Sequence, residues 1–175
     1  MIKIKDYFSE AQWQKFLSAA VEHETPFLLV DLSLIKQKFE EMVMYFPNAK
    51  IHYAMKANPG VPVINLLRDL GSNFDCASIF ELDRVFDSGV TPDRVSYGNT
   101  IKKAAHIKYA YDKGVRLYAT DSKADIQKIA ENAPGSRVFV RILVEGGDTA
   151  EWPLSRKFGC HPDMAIDLLV QAKLL

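Results

Sequence analysis

From Pro26 onward, short apolar runs alternate with stretches whose apolar residues return every three or four positions. Phe27-Leu-Leu-Val-Asp31 reads as a buried strand. Ser33 then caps a segment with apolar residues at Ile35, Phe39, Met42, Val43 and Phe46, one face of a helix that Pro47 stops. The same alternation predicts strands near 50–55, 73–77, 94–97, 115–119 and 137–143, each followed by a helical stretch of roughly ten or more residues. Ahead of these six units, Ser9 followed by Gln12 is a capping-box pattern that predicts a helix to about His23. The expected organisation is a helical extension over 1–25 and a β/α region over 26–175.

Units of this kind imply a parallel sheet, either doubly wound or closed as a barrel. A doubly wound nucleotide binder needs glycines after its first strand, but Asp31-Leu-Ser-Leu-Ile35 has none and no G-x-x-x-x-G-K-[ST] occurs. The pattern therefore predicts a TIM-like (β/α)8 barrel. Such a barrel takes about 250 residues, so six units leave it unfinished, and the chain stops inside the apolar helical pattern of Gln171-Ala-Lys-Leu-Leu175. The expectation is a barrel truncated after about six β/α units, the front part of a longer protein. Alone, the 175 residues would be inactive and prone to self-associate through unpaired strand edges.

Composition narrows the partners. With 48% hydrophobic and 25% charged residues the chain has the makeup of a soluble globular domain. Lys plus Arg balances Asp plus Glu at 22 each, without a basic block, so neither nucleic acid nor an anionic membrane is favoured. No run reaches the roughly 20 apolar residues of a membrane span, and MIKIKDYFSE lacks the apolar centre of a signal peptide. A cytoplasmic location and a small-molecule or protein partner are expected. Cys76 and Cys160 form no C-x-x-C pair and read as reduced thiols.

Candidate chemistry gathers at the carboxyl ends of the predicted strands, where barrels keep their sites. Lys56, in Tyr53-Ala-Met-Lys-Ala-Asn-Pro59, follows one strand directly, and its apolar flanks would favour the neutral amine that attacks an aldehyde to form a Schiff base. The same alignment puts Asp31, Asp75 with Ser78, Tyr97 with Asn99, Thr120 with Asp121, and Arg141 on one rim. Asp75 and Glu81 offer carboxylates to orient the amine or move protons around it, and Arg141 suits an anionic oxygen. The plain alternative is a ring of salt bridges that holds the rim together. His23, His52, His106 and the adjacent Cys160-His161 lack ligand spacing, so no metal site is expected. Ser155-Arg-Lys-Phe-Gly159 is either a solvated loop or a subunit contact.

These residues resemble the pyridoxal-phosphate-dependent decarboxylases of basic amino acids on the alanine-racemase-like barrel, the ornithine decarboxylases above all. Tyr53, Ala54, Lys56, Ala57, Asn58, Val63, Ile64, Leu67 and Gly71 satisfy that family's cofactor-lysine signature in order. Phe74-Asp-Cys-Ala-Ser78 with Glu81, Tyr97-Gly-Asn-Thr-Ile-Lys-Lys103, Val140-Arg-Ile142 and Lys157-Phe-Gly159 look like later blocks. The resemblance implies that Lys56 carries pyridoxal 5'-phosphate and that Asp75, Glu81 and Arg141 line its pocket. It also implies that Lys157 meets the second subunit of a homodimer. The implied reaction is decarboxylation of a basic amino acid, ornithine to putrescine first, which is the entry to polyamine synthesis. Lysine or diaminopimelate as substrate, a racemase, and a non-catalytic cofactor carrier or decarboxylase regulator remain the alternatives. The family's stacking histidine, glycine-rich phosphate loop and carboxyl-terminal β domain would all come after Leu175, since the context of His161 does not match.

Overall fold

A computed structural model describes residues 8–144 and 158–175. Five strands, β1 (His52–Ala54), β2 (Asn73–Cys76), β3 (Val95–Tyr97), β4 (Leu117–Thr120) and β5 (Arg137–Val140), form one parallel sheet in unbroken sequence order. Register pairs His52 with Asn73, Phe74 with Val95, Tyr97 with Tyr118 and Leu117 with Arg137, spacings of 21, 21, 21 and 20 residues. The period is structural only, since no residue-level repeat underlies it. Among the described residues seven α-helices accompany the sheet: α1 (Glu10–Glu22), α2 (Leu32–Tyr45), α3 (Val61–Asp69), α4 (Ile79–Asp87), α5 (Ala104–Asp112), α6 (Lys123–Asn132) and α7 (Pro162–Leu174).

Alternation along the strands separates two faces. Phe74, Cys76, Val95, Tyr97 and Tyr118 pack into the core with Val63, Ile64 and Leu67 of α3, Leu82 and Val85 of α4, and Ile107 of α5. Phe74, Leu82 and Ile107 are wholly buried, and burying each such side chain contributes about 1.5–3 kcal/mol before conformational entropy is subtracted. On the opposite face His52, Ala54, Asp75, Ser96, Leu117 and Phe139 line a second hollow. A doubly wound sheet would reverse its strand order and alternate its helices between faces. This sheet does neither, and it is the barrel type.

The helices start on recognisable caps. Ser9 closes a full capping box with Gln12 at the head of α1, as its spacing predicts. Ser78 and Ser122 cap α4 and α6 by accepting from the backbone N–H of the acid three residues on, Glu81 and Asp125. Among the described residues no helix is long and apolar enough to cross a membrane.

Three expectations need correction. Phe27–Val30 takes no regular structure and joins no ladder among the described residues, and Leu28 stays 83% exposed. Phe27 and Leu29 instead line an apolar groove with Trp13 and Phe16 of α1, because a strand needs a backbone partner and an apolar run does not supply one. Asp31, not Ser33, caps α2: its Oδ1 accepts from the Ser33 backbone N–H at 2.8 Å and from its hydroxyl at 2.6 Å. The strand expected over 137–143 ends at Val140, and Ile142 makes only an isolated bridge to Cys160. Along α7, Ala165 and Leu168 are buried against Ile126, Val140 and Cys160, whereas Ile166, Leu169 and Leu174 are exposed.

Candidate active site

The turn after β1 fixes where Lys56 emerges. Met55 extends the ladder by donating to the Asp75 carbonyl at 3.0 Å and is completely buried, while Ala57 closes a turn onto the Ala54 carbonyl at 3.0 Å. Lys56 lies between these anchors and is exposed. Its apolar sequence neighbours do not enclose the amine. Met55 points into the core, and Tyr53 meets Phe74 edge to face and donates its hydroxyl to the Asn58 carbonyl.

Asp75 sits opposite both Ala54 and Ser96 in the parallel register. Ser96, almost completely buried, donates its hydroxyl to Asp75 Oδ1 at 2.6 Å. The carboxylate also fills the space beside Gly98, whose backbone N–H is held by the Cys76 carbonyl at 2.8 Å. Glu81, in the first turn of α4, folds back so that its Oε2 accepts from the Ala77 N–H at 2.5 Å. Arg141, just past β5, donates its backbone N–H to the Thr120 carbonyl and accepts from Cys160 N–H, each at 2.9 Å. Its guanidinium lies 4.7 Å from the centre of the Phe158 ring, a cation–π contact. Gly159, at φ 95°, lets this segment run against the Ile142 backbone, which a β-carbon would meet at 2.7 Å.

Lys56, Asp75, Glu81 and Arg141 thus reach one cavity of about 470 Å3, walled by Ala54, Ala77, Gly98, Asn99, Phe139 and Phe158. None of the four forms an ion pair with another described residue. The ring of salt bridges is therefore not what gathers them. Other rim residues have structural posts. Asp31 caps α2, Ser78 caps α4, and Asp121 accepts from the Gly159 N–H at 3.0 Å. Tyr97 and Thr120 are buried, and burial pushes the Tyr97 phenol up to about 12. Asn99 alone of the remainder reaches the cavity. Lys157 lies outside the described residues.

Two features escaped the sequence pattern. Lys102 is wholly buried, and its ammonium donates at 2.7 Å to the Asn99 carbonyl, the Ala119 carbonyl and Asp125 Oδ2. It ties the loop after β3 to the end of β4 and to α6. Burial pushes Lys102 below the usual lysine value, opposed by the hydrogen bond and charge of Asp125. The one available signal was the acid three residues after the cap Ser122, the position Glu81 holds after Ser78. The second feature is Ser96 itself, whose oxygen is also 3.3 Å from His52 Nδ1. Only the cross-strand register brings those residues together.

Comparison with known proteins assigns the chain to a family. The profile of the pyridoxal-dependent decarboxylases, pyridoxal binding domain, matches residues 32–174. The chain is 39% identical over 149 residues to the ornithine decarboxylase of Saccharomyces cerevisiae, covering 85% of this chain and 32% of the yeast protein. It is 38% identical over 149 residues to the lysine/ornithine decarboxylase of Selenomonas ruminantium, covering 85% of this chain and 38% of that protein. The crystal structure of an SrLDC mutant in complex with PLP superposes with a TM-score of 0.83 at 36% identity, over 95% of this chain and 42% of that one. The chain belongs to the pyridoxal-dependent decarboxylase family, and the matched part is that family's pyridoxal-binding domain. It spans about a third of the length of the curated relatives it matches.

The residues present fit pyridoxal 5'-phosphate. An aldehyde needs a reachable amine, and Lys56 is exposed at the cavity. The missing β-carbon at residue 98 keeps Asp75 in the wall, and the cavity volume lies in the range of small-molecule sites, about 300–1,000 Å3.

Proposed function

We propose that this chain is the cofactor-holding part of a decarboxylase of basic amino acids, acting on L-ornithine to give putrescine and carbon dioxide. The observation that carries the reading is the convergence of Lys56, Asp75, Glu81 and Arg141, from the ends of β1, β2 and β5 and the first turn of α4, on one cavity. When bound, pyridoxal phosphate supplies the electron sink that makes loss of the α-carboxylate feasible. Lys56 would hold it through its amine. Asp75 and Glu81 would hold or move protons at that amine, with Glu81 aimed by the Ala77 N–H. Arg141, braced by Phe158, would meet an anionic oxygen, and Ala54 and Phe139 would keep water from one wall. The reading places this unit at 26–175, after the helical extension of 1–25. It also assigns Lys157 to a contact between two copies, which Lys157→Glu should weaken in analytical ultracentrifugation.

Ornithine is preferred because the yeast relative is named for it. Lysine is the second reading, since the Selenomonas relative bears both names. Borohydride reduction with pyridoxal phosphate should fix the label on the peptide holding Lys56, and label elsewhere would overturn the site. Carbon dioxide release from ornithine by the full-length protein should then exceed that from lysine. A higher specificity constant for lysine would overturn the substrate and leave the cofactor site standing.

A further inference from the structure

Asp75 is the only carboxylate of the site that lies on a strand of the sheet, and its surroundings on the hollow face are unusual. Ser96 has one proton to give, and three neighbours compete for it. Asp75 Oδ1 lies at 2.6 Å, His52 Nδ1 at 3.3 Å and the Phe74 carbonyl at 3.5 Å. The carboxylate, nearest and charged, takes it. The Ser96 oxygen is then left as an acceptor for a proton on His52 Nδ1, an arrangement that calls for the Nδ1–H tautomer of the imidazole. Burial pushes the His52 pKa down, opposed by the neighbouring Phe74 backbone and by the charge of Asp75, and so favours the neutral ring. The chain of donors runs His52 to Ser96 to Asp75. Oδ2, by contrast, accepts no hydrogen bond from any described residue.

We infer that Ser96, backed by His52, is a positioning residue that occupies Asp75 Oδ1 and presents Oδ2 to the cavity that holds Lys56. The inference rests on the pyridoxal-phosphate reading above and assigns Ser96 and His52 no contact with the reacting atoms. Gly98 completes the arrangement from the other side, because the carboxylate packs where a side chain would stand. Hydrogen bonds in series, shielded from water, hold a carboxylate more firmly than solvent does.

Ser96→Ala removes the donor with little change in volume, and Ser96→Thr keeps it on a residue suited to a strand. In the unliganded protein, the 15N shifts of the His52 imidazole should show the Nδ1–H tautomer. Ser96→Ala should abolish that preference and Ser96→Thr retain it. With pyridoxal phosphate added, Ser96→Ala should weaken binding by about tenfold and shift the absorbance maximum of the bound cofactor. Ser96→Thr should restore both, at unchanged thermal unfolding midpoint. A Ser96→Ala protein with unaltered cofactor affinity and absorbance, while Lys56 is still labelled, overturns this inference alone. An Nε2–H tautomer in the unsubstituted protein does so too. Failure of the unsubstituted protein to take label on Lys56 overturns the functional reading, and this inference with it.

Discussion

The Asp75 carboxylate stands in the space that a side chain on residue 98 would need: a β-carbon built on Gly98 would lie 2.2 Å from both of its oxygens. Gly98 is not among the glycines with positive φ, so the demand is for room, not for backbone freedom. Gly98→Ala should therefore fold, with a stability loss of about 1–3 kcal/mol as the carboxylate is pushed aside. Affinity for pyridoxal phosphate should fall by at least about tenfold. Denaturant unfolding and an absorbance titration measure the two effects separately.

Lys56 is exposed and makes no ion pair with a described residue, so replacing it should leave stability within about 0.5 kcal/mol. Both Lys56→Ala and Lys56→Arg should nevertheless take no borohydride-fixed label, the arginine because it stays charged and cannot attack an aldehyde. Mass spectrometry of the reduced protein reads the outcome.

Lys102→Met strands Asp125 in the interior, where only Lys128, 3.5 Å away, offers partial compensation. Breaking a buried pair costs about 3–5 kcal/mol, and the lower end is expected here. Adding Asp125→Leu should recover much of the loss, since the stranded charge disappears. Urea midpoints of the single and double variants test this.

Acid sensitivity should carry a histidine component. Burial holds His52 below its ordinary value of 6.5, so the unfolded chain takes up its proton first. The stability that depends on a neutral His52 is complete above pH 6.5 and is lost as pH falls from there towards the lower folded value. His52→Phe should flatten that slope between neutral and mildly acidic pH. Asp31, lowered by its hydrogen bond from Ser33, acts in a separate window below the 3.8 of an ordinary aspartate. Unfolding midpoints across a pH series resolve the two.

Legibility in the sequence followed locality. β1 to β5 were readable because each is a short run of alternating or apolar residues between helical spacings, and Lys56, Asp75, Glu81 and Arg141 because each lies in or just after such a run. Phe27–Val30 has the same apolar signature, but hydrogen-bonding to a neighbour is a property of two segments and not of one. Lys102 reads as a solvated charge beside Lys103 until α6 is folded over it. Ser96 and His52 are 44 residues apart, and nothing but the register of three strands announces their meeting. The apolar neighbours of Lys56 in sequence do not enclose it for a related reason, since Met55 turns into the core while Lys56 sits in the turn that follows β1 and stays exposed.

The even spacing of the strands bears on how the chain is made. A ribosome adds about 5–20 residues per second, so a further 21-residue rung emerges every one to four seconds, roughly. Helix formation and the closing of short loops take microseconds or less. Each newly released strand thus finds its partner already in place, only one helix upstream, and never has to wait for a distant stretch of chain. A pause in translation at any rung would hold an ordered sheet short of its latest strand, and the exposed edge awaiting that strand is where a nascent-chain chaperone would have to act.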